Sequence, residues 1–376
     1  MVILLIGNGF DLAHGYPTTY IDFMKFVRQY RFYLKNNKFM EDLYKSFFSY
    51  LEETNPDAFH EFDALTKDNL LLTYFFNVIK GSNKHDWIDF ENELSKLIQV
   101  LDEVDCSSKE QFDNGLSTFV LTKRQAGVLY HLNNLAADGL GNYYITNNYL
   151  DDVFNELLSG LKKVRRCLEL YLAVFIPYYS NSENCSTIDS VVRVKNRVDR
   201  VLSFNYTNTF QSLYEESGDN IEYCYIHGKA VQDHSANDCD LVLGINEYLE
   251  DERKDKDNSF IEFKKFYQRI LFENDSTYAD WIDEIEEDAS IPRRIEKHNF
   301  LLVFGHSLDV SDQDIIRDLI LSTNTLTFIY CHKDEAKEKY IKNLVKVIGE
   351  DELKKRTKGH NRTIFFVGNI DIFPKR

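Results

Sequence analysis

The chain has 376 residues, a formal net charge of −17, 43% hydrophobic and 14% aromatic residues, and only 5 prolines. That mix excludes a long disordered chain, a collagen-like fibre and a repeat linker, and its length suits two domains or one decorated domain. The charge argues against a bulk surface that wraps nucleic acid, because phosphate binding needs a basic footprint.

In chain order, Val2 to Ile6 is a short apolar run that stops at Gly7. It has the pattern of a strand buried on both faces of a parallel sheet, and it lacks the basic flank of a signal peptide. Gly7-Asn8-Gly9-Phe10-Asp11 follows directly. Two glycines in a strand-to-helix turn let the N–H groups of Gly7, Asn8, Gly9 and Phe10 approach a pyrophosphate at a helix start. A tight structural turn is the competing reading. Leu12 replaces the third glycine of G-x-G-x-x-G, and no acidic residue follows on a second strand, so a plain NAD(P) dehydrogenase fits poorly. Asp11 reads either as a helix cap or as a group that meets ribose hydroxyls or positions water. His14 reads as structural.

From 19 to 194 the pattern changes to apolar residues at three-and-four spacing, as in Leu43, Phe47, Tyr50 and Leu51, or Leu150, Val153, Leu157, Leu161, Val164 and Leu168. A large helical insertion, or lid, is expected there. Trp87, Asp89, Glu91 and Glu93 share one predicted helix in it, read as a solvated face with a docked Trp or as acids that close over a cleft.

Strands return at Arg200 to Phe204, Tyr223 to Ile226, Leu241 to Ile245, Phe300 to Phe304, Leu326 to Cys331 and Thr363 to Val367, with helical spacing at Asp312 to Ser322 and Asp334 to Ile348. Strands alternating with helices predict an α/β fold with a mainly parallel, Rossmann-like sheet. Its core is expected at 1–18 and 195–376, with a smaller polar insertion at 247–298. Three more strand ends carry chemistry. Asn205 follows one, and its carboxamide can hold a ribose hydroxyl or a water, or simply bond its own turn. His227, before Gly228, follows the next and suits a general base, although a lone histidine is as readily structural. Gly305-His306-Ser307-Leu308 follows the third and permits close approach of a nucleotide. Strand ends of a parallel sheet face one crevice, so together they predict a nucleotide-sized ligand.

The six cysteines form no C-x-x-C pair, which argues for reduced thiols in a cytoplasmic protein and against a zinc knuckle. No metal is expected, since the histidines show no ligand spacing such as H-E-x-x-H. No apolar run approaches the length of a membrane span.

The motif order resembles the sirtuin-like NAD-binding fold. Gly7-x-Gly9-x-Asp11-x-x-x-Gly15-x-Pro17 keeps the spacing of the sirtuin opening motif, with Asp11 in place of Ser. Ser203-Phe204-Asn205-Tyr206-Thr207, His227-Gly228 and Gly305-His306-Ser307-Leu308 are similar to its later elements. The chain lacks the paired C-x-x-C zinc module, so protein deacylation is not implied. More narrowly, I-G-N-G-F-D-L-A-H-G-x-P-T with S-F-N-Y-T, I-H-G and G-H-S-L-D resembles the AbiH abortive-infection family.

The AbiH resemblance implies a role in phage defence, with a phage-encoded trigger. The step to sirtuin-like relatives implies NAD as a substrate that is hydrolysed to release nicotinamide. Asn205 would then orient water and a ribose hydroxyl, His227 would be the general base and Asp11 an electrostatic stabiliser. Gly7 and Gly9 would hold the pyrophosphate, and Gly305 and Ser307 the adenosine ribose side. A binding module that holds NAD or ADP-ribose without turnover, and a nucleic-acid-targeting toxin, stay open as other classes. So does assembly into a homo-oligomer.

Overall fold

A computed structural model describes residues 1–81, 90–138, 140–182, 185–235, 237–274, 276–290, 298–322, 324–331 and 334–368. Trp87 and Asp89 lie outside these. The described strands, in chain order, are β1 (Val2–Ile6), β2 (Thr118–Val120), β3 (Ala136–Ala137), β4 (Tyr143–Thr146), β5 (Arg200–Ser203), β6 (Glu222–Tyr225), β7 (Asn299–Phe304), β8 (Thr325–Tyr330) and β9 (Ile364–Val367). The chain divides into two compact units: 1–18, 176–230 and 273–376 form the first, and 19–175 with 231–272 form the second.

The first unit is built on a six-stranded sheet of order β6-β5-β1-β7-β8-β9, in which every described pairing is parallel. All five residues of β1 are buried because alternate side chains enter different cores. Ile3 and Leu5 pack with Leu202, Leu301 and Val303, and with Ile316 and Leu319 of helix Gln313–Leu321. Val2, Leu4 and Ile6 pack with Phe10, Val191, Val194, Phe210 and Tyr214. Both cores are aliphatic or aromatic, so truncating one of these side chains to Ala costs about 2–5 kcal/mol. Register aligns Ile6 with Ser203 on one side and Phe304 on the other, so the C-terminal strand ends share one edge. The strand order reverses between β1 and β7, which makes their C-terminal ends the topological switch point of the sheet.

The second unit is mainly helical, with the small antiparallel sheet β2-β4-β3. Thr19 and Asp22 form a capping box that starts helix Tyr20–Leu34. The aromatic content is spent here: Phe26 meets the rings of Phe47, Phe48, Phe62, Tyr171 and Phe175 at centroid separations of 4.8–5.8 Å.

Two features depart from the sequence reading. The expected strand Leu241–Ile245 makes only a single bridge, Ile245 to Lys264. The run is buried, but the Gln268 side chain takes the place of a neighbouring strand: Oε1 accepts from Leu243 N–H at 2.9 Å and Nε2 donates to Leu243 O at 3.1 Å. The partition also differs. Val191 and Val194 bury against the sheet, which puts 176–194 with the first unit. Residues 231–272 belong to the second unit, where Phe154 packs on Phe260 and Phe263.

Candidate functional site

The site lies within the first unit, at the C-terminal edge of its sheet. After β1 the chain turns at Gly7 into helix Asn8–Ala13. A Cβ at Gly7 would stand 2.6 Å from His306 Cα, and one at Gly9 2.8 Å from Gly305 O. Gly305 has φ +71°, and a Cβ there would stand 2.1 Å from Phe10 N. The glycines therefore let the turns after β1 and β7 touch backbone to backbone. That contact consumes two amides: Gly7 N–H donates to Phe304 O and Gly9 N–H to Gly305 O, while Phe10 N–H donates to Gly7 O within its own turn. Of the amides expected to face an anion, the turn keeps that of exposed Asn8, while the Phe10 side chain is fully buried in the core.

Asp11 is 1% exposed. Its Oδ2 accepts from Thr207 Oγ1 at 2.6 Å, and Thr207 Oγ1 also accepts from Thr209 Oγ1 at 3.2 Å. Its Oδ1 is buried with no hydrogen-bond partner. Burial pushes its pKa up to about 6, against the lowering effect of these hydroxyls. Asn205 is fixed by a reciprocal pair: its N–H donates to Ser203 Oγ, which donates back to Asn205 O. Its Nδ2 donates to Gly7 O at 3.1 Å, and its Oδ1 is likewise buried without a partner. Two buried acceptor atoms at one sheet edge thus have no partner at hydrogen-bond geometry, although the Asn205 and Thr18 side chains lie near enough to help hold the Asp11 pKa down. His14 is structural, bonded to Phe10 O through Nδ1 and to the Tyr214 hydroxyl through Nε2.

His227, after β6, places Nε2 3.2 Å from Asp312 Oδ1, close enough for an ion-pair contact but not aligned as a hydrogen bond. His306, after β7, points Nε2 at Asp312 Oδ2, 3.7 Å away. Leu308 N–H donates to His306 Nδ1, so the His306 ring carries its proton on Nε2, toward the carboxylate. Leu308 itself is buried at φ +52°, a costly conformation for a bulky residue and one found at sites where a turn must be re-aimed. The Phe204 ring lies against both imidazoles, at 5.6 Å from His227 and 4.2 Å from His306.

A cavity of about 710 Å³ opens at His306, lined also by Gly9, Gly305, Ser307, Tyr330, Lys339 and Tyr340, while Asp11, Asn205 and His227 lie outside its lining. It offers aromatic walls, a hydroxyl and an exposed ammonium. This is the usual content of a small-ligand site: apolar walls and a few convergent polar groups.

The structure thus gathers Asp11 with Asn205, and His227 with His306, while Gly9, Gly305, His306 and Ser307 line the cavity. The side chains of Phe10 and Leu308 go into the cores instead, and Asn8 Oδ1 accepts from Thr18 Oγ1. Glu91 pairs with buried Lys265 at 2.8 Å in the second unit. Sequence reasoning missed Asp312, Thr207 and Lys339. Asp312 precedes helix Gln313–Leu321 and looks like a cap, yet its side chain makes no capping hydrogen bond and turns to the histidines. Lys339 sits in mid-helix, where nothing in sequence marks it.

Among the described residues, no helix is long and apolar enough to cross a membrane. Residues 3–331 match the family described as bacteriophage abortive infection AbiH. No curated protein matches the chain.

Proposed function

The chain belongs to the AbiH family of bacteriophage abortive-infection proteins, and from that premise we propose that it is an NAD hydrolase set off during phage infection. The observation that carries the reading is the pair of buried acceptors, Asp11 Oδ1 and Asn205 Oδ1, with no hydrogen-bond partner at the edge that also holds the cavity. Vicinal ribose hydroxyls supply such donors, and an unsatisfied buried acceptor costs about 1–3 kcal/mol until one arrives. Counted along the sheet's own strands, the order is 3-2-1-4-5-6, that of doubly wound dinucleotide-binding sheets, which supports a ligand at the switch-point edge of β1 and β7.

In this reading the adenosine half occupies the cavity between Tyr330 and Tyr340, with Ser307 at its ribose. The pyrophosphate meets Lys339 and the Asn8 N–H. The nicotinamide ribose lies over Asp11 and Asn205. Water attacks the anomeric carbon, the bond to nicotinamide breaks, and nicotinamide leaves as a neutral base with the bonding pair. The water's proton passes to His227. Positive charge builds on the ribose in the transition state, and the Asp11 carboxylate stabilises it. Asp312 holds the His227 ring in place and stabilises its protonated form, as a carboxylate behind a general base does.

The test is nicotinamide release from NAD by purified protein, with and without infected-cell extract. Release is expected from the parent, with losses of about 10²–10⁴-fold in Asn205→Ala and His227→Ala. Equal release by the variants would overturn the assigned roles. Intact NAD recovered from a tight complex, without turnover under any trigger, would make the chain a nucleotide-sensing module instead.

A further inference from the structure

A second cluster lies in the second unit and plays no part in the reaction above. Glu169, near the end of helix Tyr149–Leu170, is completely buried. Its Oε2 accepts from Arg166 Nη1 at 2.8 Å. Arg166 is itself buried and also holds Glu61 and the carbonyls of Val231 and Gln232. Glu169 Oε1 faces the other way, toward Val231 N–H at 3.2 Å and His234 Nδ1 at 2.7 Å. Asp240 completes the group: one ligand atom from each of Glu169, His234 and Asp240 lies within 4.8 Å of the others. Asp240 Oδ1 is buried and has no hydrogen-bond partner.

From this arrangement we propose that Glu169, His234 and Asp240 bind one divalent transition-metal ion of the zinc and manganese class. The donor set is one imidazole nitrogen and two carboxylate oxygens, which suits such ions better than the all-oxygen preference of calcium or magnesium. Ligands about 2.1 Å from a shared ion stand roughly 3–4 Å apart, so side-chain rotation suffices to close the site. Arg166 divides its guanidinium between Glu61 and Glu169 and Arg165 acts on Asp240, so three carboxylates face two arginines around the group. The pairing also leaves Glu169 oriented by Arg166 from behind, the role of an outer partner in metal sites. The ion would clasp His234 and Asp240 to helix Tyr149–Leu170. Glu169 and His234 are distant in sequence, which is why no ligand motif announces them.

Coordination through His234 Nδ1 leaves the ring proton on Nε2, the other nitrogen of the neutral imidazole. The experiment is calorimetric titration of zinc into the chelator-treated full-length chain. One ion per chain is expected, with a weakening of about a hundredfold or more in both His234→Gln and Asp240→Asn. Absence of stoichiometric binding to the parent, or binding that both variants leave unchanged, would overturn the proposal. A readout on the parent alone keeps the test decisive if a variant does not fold. Copper-loaded protein should give the pulsed-EPR pattern of a single imidazole, and no imidazole or several would refute the assigned ligands.

Discussion

Asp11 is where burial and chemistry pull against each other. A carboxyl whose folded pKa is about 6 binds a proton that the unfolded chain has already released. The fold therefore holds that proton between the ordinary carboxyl value and pH 6, and this contribution to stability falls as pH rises through that window. At pH 7 the residue costs about 3 kcal/mol. Asp11→Asn keeps an acceptor for Thr207 without the charge. It is expected to raise stability at pH 7 by roughly 1–3 kcal/mol and to flatten stability between pH 4 and 6, read by urea denaturation across pH. No gain at pH 7 would show that the charge is not buried at a cost. The same variant should lose NAD turnover, since stability given up at a site is commonly what function requires. Asp312 behaves differently. Asp312→Asn should reduce kcat by about 10²–10⁴-fold with KM little changed, because it acts on the His227 ring and not on substrate. A rise in KM with kcat intact would instead place Asp312 in binding. Strand ends mark Asn205 and His227 as candidates in the sequence. Asp312 is not so marked, since its position before a helix carries the signature of a cap while the capping hydrogen bond is never made.

Among the elements, the touching turns after β1 and β7 set the geometry of the site. Gly305→Ala would place a methyl group 2.1 Å from Phe10 N in a left-handed backbone. A loss of several kcal/mol, with weakened nucleotide binding, is expected in denaturant unfolding and calorimetry. Parent-like stability would mean that the two turns do not touch. Gln268→Met tests the other unusual contact, since it removes the donor and acceptor that pair with Leu243. About 2–4 kcal/mol should be lost, again by denaturant unfolding. The apolar run at 241–245 reads as a strand because periodicity reports burial, and burial is what the structure has. That a side-chain amide replaces the neighbouring strand depends on where Gln268 folds back, and local sequence cannot convey this. The other predicted strands of the sheet are present because each is a continuous apolar run bounded by turn residues.

For the whole chain, the charge of −17 makes general attraction of anionic NAD unfavourable, so binding depends on local groups. The sequence places that burden on the Gly7 to Phe10 amides. In the structure two of the four, Gly7 and Gly9, serve the β1–β7 contact and the Phe10 N–H bonds within its own turn, so the proposed NAD binding relies on Lys339 and the Asn8 N–H. The division of the chain into units was only partly readable, because membership of 231–272 with the helices is decided by long-range packing on Phe154. In the proposed function, infection turns on NAD cleavage at the Asp11, Asn205 and His227 site. That cleavage is tested most directly by measuring cellular NAD through phage infection in bacteria that express the parent or Asn205→Ala chain at equal levels. NAD should collapse with the parent and persist with the variant. NAD that stays level in cells the parent still protects, or that falls equally with the variant, would contradict the account.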